Sequence, residues 1–253
     1  MAGERTPLVP RSPRSVWRRL AWAIGLALLV LVAATAILVG PYLFAPNQYA
    51  GVPSIERRAD YRDPALMAAA WALPVARAYR RGFEYQTNPS YCGPASIANL
   101  LRSTGARSSQ EAVLDGTRYE PWFGVLLGGL TLDEAADLLR QRSGTPVAIV
   151  RDPTLAAFIG WMRQANDPSR RLIVNFHRGP MFGRGHGHFS PVLAYLADRD
   201  LVLVGDVNAD YRPYLVSSER LWRATDTVDA ETGEERGLIV ATIARSGARE
   251  PAP

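Results

Sequence analysis

From Leu20 to Val39 the chain reads LAWAIGLALLVLVAATAILV, twenty residues without a charge. At helical rise such a run spans about 30 Å, the thickness of a bilayer's hydrocarbon core. No charged residue follows until Glu56, while five arginines precede it (Arg5, Arg11, Arg14, Arg18, Arg19) against one acid, Glu4. That asymmetry predicts a single-pass anchor in the inner (cytoplasmic) membrane. The basic tail 1–19 is cytoplasmic, the signal-anchor covers 20–45, and the rest is extracytoplasmic, in the periplasm where there is one. The competing reading is a cleaved signal peptide. ATA at 34–36 is a poor cleavage site, and the apolar run is long for such a peptide.

Beyond the span, Pro41, Pro46 and Pro53 mark a connector, 46–81, that is partly helical over 64–81 with a break at Pro74. From 82 to 246 the pattern is that of one compact domain, followed by a short polar tail, 247–253. CGPASIANLLRSTG has Pro94 in the first turn, Ile97, Leu100 and Leu101 on one face, and Gly105 as stop, which predicts a helix. SSQEAVLDG reads as a short helix with serine caps. TLDEAADLLRQRSG carries a capping box, Thr131 with Glu134, and stops at Gly144. In DPTLAAFIGWMRQAND, Asp152 is the expected cap and Pro153 sits in the first turn. The period then changes. RLIVNFHR, HFSPVLAYL, LVLVGDV and GLIVATIAR read as strands, the middle two joined by the turn ADRD. Helices first and an antiparallel sheet second is an α+β arrangement.

Charge and composition narrow the function. Of the net +5, the first 19 residues account for +4, leaving about +1 on the remainder. No basic stripe with interleaved aromatics is present, so nucleic acid is not an expected partner. All 29 basic residues are arginine, which removes any Schiff-base lysine. One cysteine, Cys92, permits neither an internal disulfide nor a cysteine-rich metal site. No metal ligands are expected: His186 and His188 form an H-x-H pair with no evident third ligand.

A lone cysteine is ordinarily a small buried hydrophobe. Its context here argues for a nucleophile. Cys92 opens a helix, where free N–H groups and the dipole stabilise a thiolate. Gln86, six residues upstream, offers an amide N–H to a developing oxyanion beside the backbone N–H of Cys92. His188 and Asp206 lie eighteen residues apart across a hairpin. With a three-residue loop or a bulge they share a face, and Asp206 then orients the imidazole that takes the thiol proton. A regular two-residue loop sets them on opposite faces.

QTNPSYCGPAS, GHGHFSPVLAYLADRDLVLVGDV and LWRATDTVDAETGEERG together resemble the phytochelatin synthase family, a branch of the papain-like cysteine peptidases. The resemblance covers about 82–245. It implies a papain-like fold, a helical lobe plus an antiparallel sheet lobe, with Cys92, His188 and Asp206 as triad and Gln86 in the oxyanion hole. It also implies cleavage of the Cys–Gly bond of glutathione through a γ-glutamylcysteinyl thioester, which passes to water or to a second glutathione. The γ-glutamyl head carries one ammonium and one carboxylate, and Asp229 and Arg236 match the family's pair for it, Arg supplying a bidentate grip. Read without the resemblance, DAETGEER is a charged surface turn. Plant members carry a cysteine-rich C-terminal region. With no second cysteine this chain looks like the short bacterial members, in which hydrolysis predominates. No cofactor is required, and cadmium or zinc would act as a metal thiolate of the substrate. The rival readings are a C39-like membrane-anchored cysteine peptidase acting on peptides, and a non-catalytic tethered relic.

Overall fold

The computed structural model describes residues 13–44 and 47–243. The start of the basic tail (1–12), Ala45, Pro46 and the end from Ala244, with the tail 247–253, lie outside the described residues. The chain divides into two units, Met1–Asn47 and Gln48–Pro253.

Among the described residues the first unit contains one helix, α1 (Pro13–Phe44). Within it Trp17–Leu38 is long and apolar enough to cross a membrane, and none of that stretch is buried. The hydroxyl of Thr35 donates to the Leu31 carbonyl at 2.8 Å, which satisfies a polar group that an apolar helix face would leave bare. The helix continues through Pro41 and ends at Phe44, just before the connector expected from 46.

In the second unit a single antiparallel sheet has the order β1-β6-β2-β3-β4-β5. Its strands are β1 (Val147–Arg151), β2 (Arg170–His177), β3 (Gly187–Leu196), β4 (Leu201–Val204), β5 (Tyr214–Ser217) and β6 (Gly237–Thr242). The helices are α2 (Pro64–Trp71), α3 (Pro74–Arg80), α4 (Cys92–Ser103), α5 (Gln110–Leu114), α6 (Leu132–Ser143), α7 (Leu155–Gln164), the one-turn α8 (Gly179–Phe182) and α9 (Ser218–Thr225). They pack on both faces of the sheet. Ile173, Phe189, Leu193, Leu203 and Ile239 face α3 to α6 through Ala76, Tyr79, Ile97, Leu100, Leu138 and Leu139. Leu172, Val174, Val192, Val204 and Val240 face α7 and α9 through Phe158, Met162 and Leu221. Coverage of both faces explains why the central strands read as near-continuous apolar runs. Helices thus flank the sheet on both sides, which refines the two-lobe expectation within the α+β class.

Local chemistry places several elements where the sequence predicts them. The Thr131–Glu134 capping box forms, with both reciprocal bonds present, and Gly144 closes α6 at φ 62°. Ser109 caps α5 through the Ala112 N–H. The helical stretch 64–80 breaks at Pro74 into α2 and α3. Asp152 is not a cap: it sits at φ 44°, and Thr154 accepts from the Ala157 N–H instead, so Pro153 precedes the helix. The strands β1 and β5 are additional to those predicted. The segment 46–81, read above as a connector, supplies core. Ala70, Val75, Ala76 and Tyr79 are buried with α4, and Ile55 and Tyr61 are buried against Tyr214 on the other face.

Candidate active site

Cys92 is the first residue of α4, a helix buried on nearly all sides. No side chain caps its start, and Pro94 has no N–H. The N–H groups of Cys92 and Gly93 are therefore the free donors at the helix end. Gly93 is glycine for a reason of space: a Cβ there would meet Leu130 Cδ1 at 2.8 Å. Leu130 also lines a groove of about 380 Å³ that reaches Glu231 and includes Trp122, which is 65% exposed and belongs to the groove wall, not the core.

His188 stands near the start of β3, directly across from Phe176 on β2, and the two rings meet edge to face at 5.6 Å. Asp206 lies two residues beyond β4, not within it. The hairpin between β3 and β4 pairs Leu196 with Leu201, so its loop has four residues. Pairing holds to Ala194–Leu203 and then resumes at Val192–Val204, leaving Leu193 as an extra residue. This β-bulge decides the site. Continuing the unbulged register would set His188 opposite Ala209, with Asp206 on the far face. The extra residue shifts the match to Asn208 and returns Asp206 to His188's side. The bulge that the sequence reading required is present. Gly205, against Leu193, leaves room for it.

His188 Nε2 lies 3.0 Å from Asp206 Oδ1, which leaves Nδ1 for the Cys92 thiol, close enough for the imidazole to bear on its ionisation. Asp206 is fully buried and His188 5% exposed. The same Oδ1 accepts from the Asn208 N–H at 2.9 Å. A residue the sequence reading did not identify completes the cluster. Arg178, 5% exposed, donates from Nη2 to Oδ1 at 2.9 Å and brings Nη1 within 2.8 Å of Oδ2. Its guanidinium lies over the Tyr211 ring at 3.7 Å. Arg178 is placed by the turn after β2, where its N–H donates to the His186 carbonyl at 3.0 Å.

The electrostatics follow from these contacts. Burial alone would raise the Asp206 carboxyl, but the charge and hydrogen bond of His188, then of Arg178, outweigh it and hold the group at about 2. Burial and Arg178 push the His188 imidazole down, while Asp206 and the thiol lift it further, so the net shift is upward. Burial pushes the Cys92 thiol up, yet His188, the Phe189 backbone and Arg178 bring it below its ordinary value. Lowering the thiol and raising the imidazole both favour the thiolate–imidazolium form relative to the neutral pair.

Gln86 is tied to the same region through its backbone, its N–H donating to the Val207 carbonyl at 2.7 Å. Its side chain differs from the expectation in part. One Nε2–H is spent on the Asn88 carbonyl at 2.9 Å, and Oε1 is buried without a partner. Asp229 and Arg236 are paired with each other, Nη1 to Oδ2 at 2.6 Å, across a turn closed by the Val228–Glu235 bridge. Arg236 is 6% exposed, and a Cβ on Gly187 would meet its guanidinium at 2.9–3.0 Å. Arg236 therefore sits beside Gly187, one residue from His188, with Asp229 half-buried against it, while 230–234 form the exposed turn between them. His186 and His188 diverge: the first is exposed, the second buried on Asp206. Among the described residues no group of three or more His, Cys, Asp and Glu side chains gathers as a metal site.

A cysteine at a helix start facing a histidine and an aspartate on a neighbouring antiparallel sheet defines the class of papain-like cysteine enzymes. A family model described as phytochelatin synthase matches residues 66–238, and the chain belongs to that family. It is 31% identical over 172 residues to glutathione gamma-glutamylcysteinyltransferase 3 of Lotus japonicus and, over the same length, to glutathione gamma-glutamylcysteinyltransferase 1 of Arabidopsis thaliana. Each alignment covers 62% of this chain and 35% of the relative, so the chain spans about a third of the curated relatives it matches. Among solved structures it is similar to the peptidase domain of Streptococcus ComA, with TM-score 0.44, 16% identity, and 64% and 97% of the two chains covered. It is also similar to a C39-like peptidase from Bacillus anthracis, with TM-score 0.45, 14% identity, and 67% and 97% covered.

Proposed function

We propose that this protein cleaves the Cys–Gly bond of glutathione by acyl transfer to Cys92. The observation that carries the reading is the juxtaposition of two units. One is the Cys92–His188–Asp206 relay. The other is the buried Arg236–Asp229 pair packed on Gly187, one residue from His188. The first supplies a nucleophile and a proton carrier. The second supplies an anion and a cation, the charges that complement a free α-amino acid head such as the γ-glutamyl end of glutathione.

In this reaction the thiolate attacks the carbonyl carbon of the cysteinyl residue. The oxyanion that forms is met by the N–H groups at the start of α4 and by the remaining amide N–H of Gln86. The C–N bond breaks as His188, protonated, gives its proton to the departing glycine nitrogen. A γ-glutamylcysteinyl thioester stays on Cys92. Water, or the amino group of a second glutathione, then attacks with His188 as base, and the C–S bond breaks. Asp206 orients the imidazole and stabilises its charged form throughout. The substrate's ammonium engages Asp229 and its carboxylate engages Arg236, replacing part of their mutual pairing. A cadmium or zinc ion enters this scheme bound to the substrate thiol, not to the protein. The helix Trp17–Leu38, with arginines on its N-terminal flank, is read as an inner-membrane anchor with the N-terminus in the cytoplasm.

The test is to incubate the full chain in detergent with glutathione and assay glycine and γ-Glu-Cys. Cys92→Ala should abolish release; a rate equal to wild type would overturn the reading. Cleavage of peptides with glutathione left intact would favour a C39-like peptidase. Arg236→Ala should raise KM for glutathione about tenfold or more, the worth of a charge-assisted hydrogen bond, with a smaller change in kcat.

A further inference from the structure

A second concave feature lies away from this site. A cavity of about 460 Å³ opens between Pro53–Arg58 and the start of α9. Four arginines line it, Arg57, Arg58, Arg220 and Arg223, against one acidic residue, Glu219. Local structure gathers them. Arg57 ends a single 3-10 turn, Ile55–Arg57, and Arg58 caps it. Arg220 and Arg223 are three residues apart and share a face of α9.

Two of the four charges are answered within the protein. Arg58 gives Asp60 two hydrogen bonds, at 3.0 and 2.9 Å, and Arg223 pairs with Glu219 at 2.7 Å. The other two are not. Arg57 has no acidic partner among the described residues. Arg220 spends Nη2 on the Pro53 carbonyl at 2.8 Å, and its Nε is buried with no partner at all. Burial, then the charges of Arg223 and Arg58, push the Arg220 guanidinium below its ordinary value, as expected where cations crowd without a counter-ion. Ser217 marks the N-terminus of α9 at the cavity edge, where the free N–H groups add to the positive potential. Beside this charge lies an apolar wall that includes Ile55 and Val216, 2% and 3% exposed.

We propose that this cavity binds a phosphate-bearing anion, its phosphate between Arg57 and Arg220 and its organic part against Ile55 and Val216. A phosphate, as monoester or diester, directs tetrahedral oxygens at two guanidinium groups at once, whereas a planar carboxylate pairs face-on with one. The cavity is of a size that holds small organic ligands and is much larger than bare phosphate. Two sources share this chemistry, a soluble phosphate ester and an anionic lipid headgroup, the latter relevant to a chain with a helix of membrane-spanning length.

The full chain in detergent should be titrated with inorganic phosphate against chloride at matched ionic strength. In parallel it should be placed in nanodiscs of phosphatidylglycerol or phosphatidylcholine, with thermal stability read in both. Stabilisation by phosphate assigns a soluble ester, and stabilisation by phosphatidylglycerol over phosphatidylcholine with no effect of phosphate assigns a headgroup. Arg220→Gln should weaken the effect about tenfold. Because that change also removes the bond to Pro53, Arg57→Gln, at an exposed position, is the decisive variant: it should weaken binding by a similar factor and leave glutathione turnover unchanged. No preference for phosphate over chloride and none for phosphatidylglycerol, or an Arg57→Gln protein that responds like wild type, would overturn the proposal. Neither outcome bears on the acyl-transfer reading.

Discussion

Asp206 Oδ1 receives three donors, from His188, Arg178 and Asn208, and the carboxylate is fully buried. Removing the negative charge strands a buried guanidinium. Asp206→Asn should therefore cost about 3–5 kcal/mol in denaturant unfolding, and pairing it with Arg178→Met should restore part of the loss. His177 makes a second residue-scale prediction. Burial, then the nearby charge of Arg236, hold its imidazole down to about 4, and its Nδ1 accepts from the Gly179 N–H at 3.0 Å, a role only the neutral ring can fill. Between pH 6.5 and 4 the unfolded chain binds more protons at this residue than the folded one. Its contribution is thus fully present above 6.5 and lost as pH falls through 4. His177→Asn, which keeps an acceptor but not the titration, should flatten the fall in stability over that window. The triad was legible because its residue types and their spacings across a helix start and a hairpin follow local rules. Arg178 was not, since it stands 28 residues before Asp206 and only the fold of β2 against β3 and β4 brings the two together.

At the level of elements, the bulge at Leu193 is the device on which the His188–Asp206 pair depends. Gly205 makes room for it, and a Cβ there would meet the Leu193 methyls at 2.8–2.9 Å. Gly205→Ala should destabilise the protein by about 1–3 kcal/mol through overpacking, and glutathione turnover should fall as Asp206 shifts. Leu193→Ala in the same chain should be less than additive with it, because each change relieves the other; a double-mutant cycle measures this. The capping box at Thr131 and the stop at Gly144 were legible because caps are written in adjacent residues. The start of α7 was misplaced because Asp152 and Thr154 are both good caps, and Asp152 takes a left-handed conformation while Thr154 caps the helix. The strands β1 and β5 span five and four residues, too short for periodicity to separate them from loop.

On the scale of the whole molecule, the stretch before Gly82 is part of the machine's foundation. Tyr49 packs on Gly179 and His177, Tyr61 stacks on Tyr214, and the Leu215 N–H donates to the Tyr61 carbonyl at 2.9 Å, closing the β5 edge. A chain beginning at Gln48 should keep a cooperative thermal transition. One beginning at Gly82 loses Ile55, Tyr61, Ala70, Val75, Ala76 and Tyr79 from two hydrophobic clusters and should show no such transition by calorimetry. The sequence pattern placed the boundary late because alanine-rich, proline-broken helices resemble a linker until their partners are known.

The solitary sulfhydryl has a practical corollary. A thiol-selective alkylating reagent has one sulfhydryl to find in 253 residues, so the mass added to the intact chain counts competent nucleophiles directly. The pH profile of that labelling reports the ionisation of Cys92 with no competing signal, and glutathione added first should block it in proportion to the acyl-enzyme formed. The chain can thus serve as its own titrant.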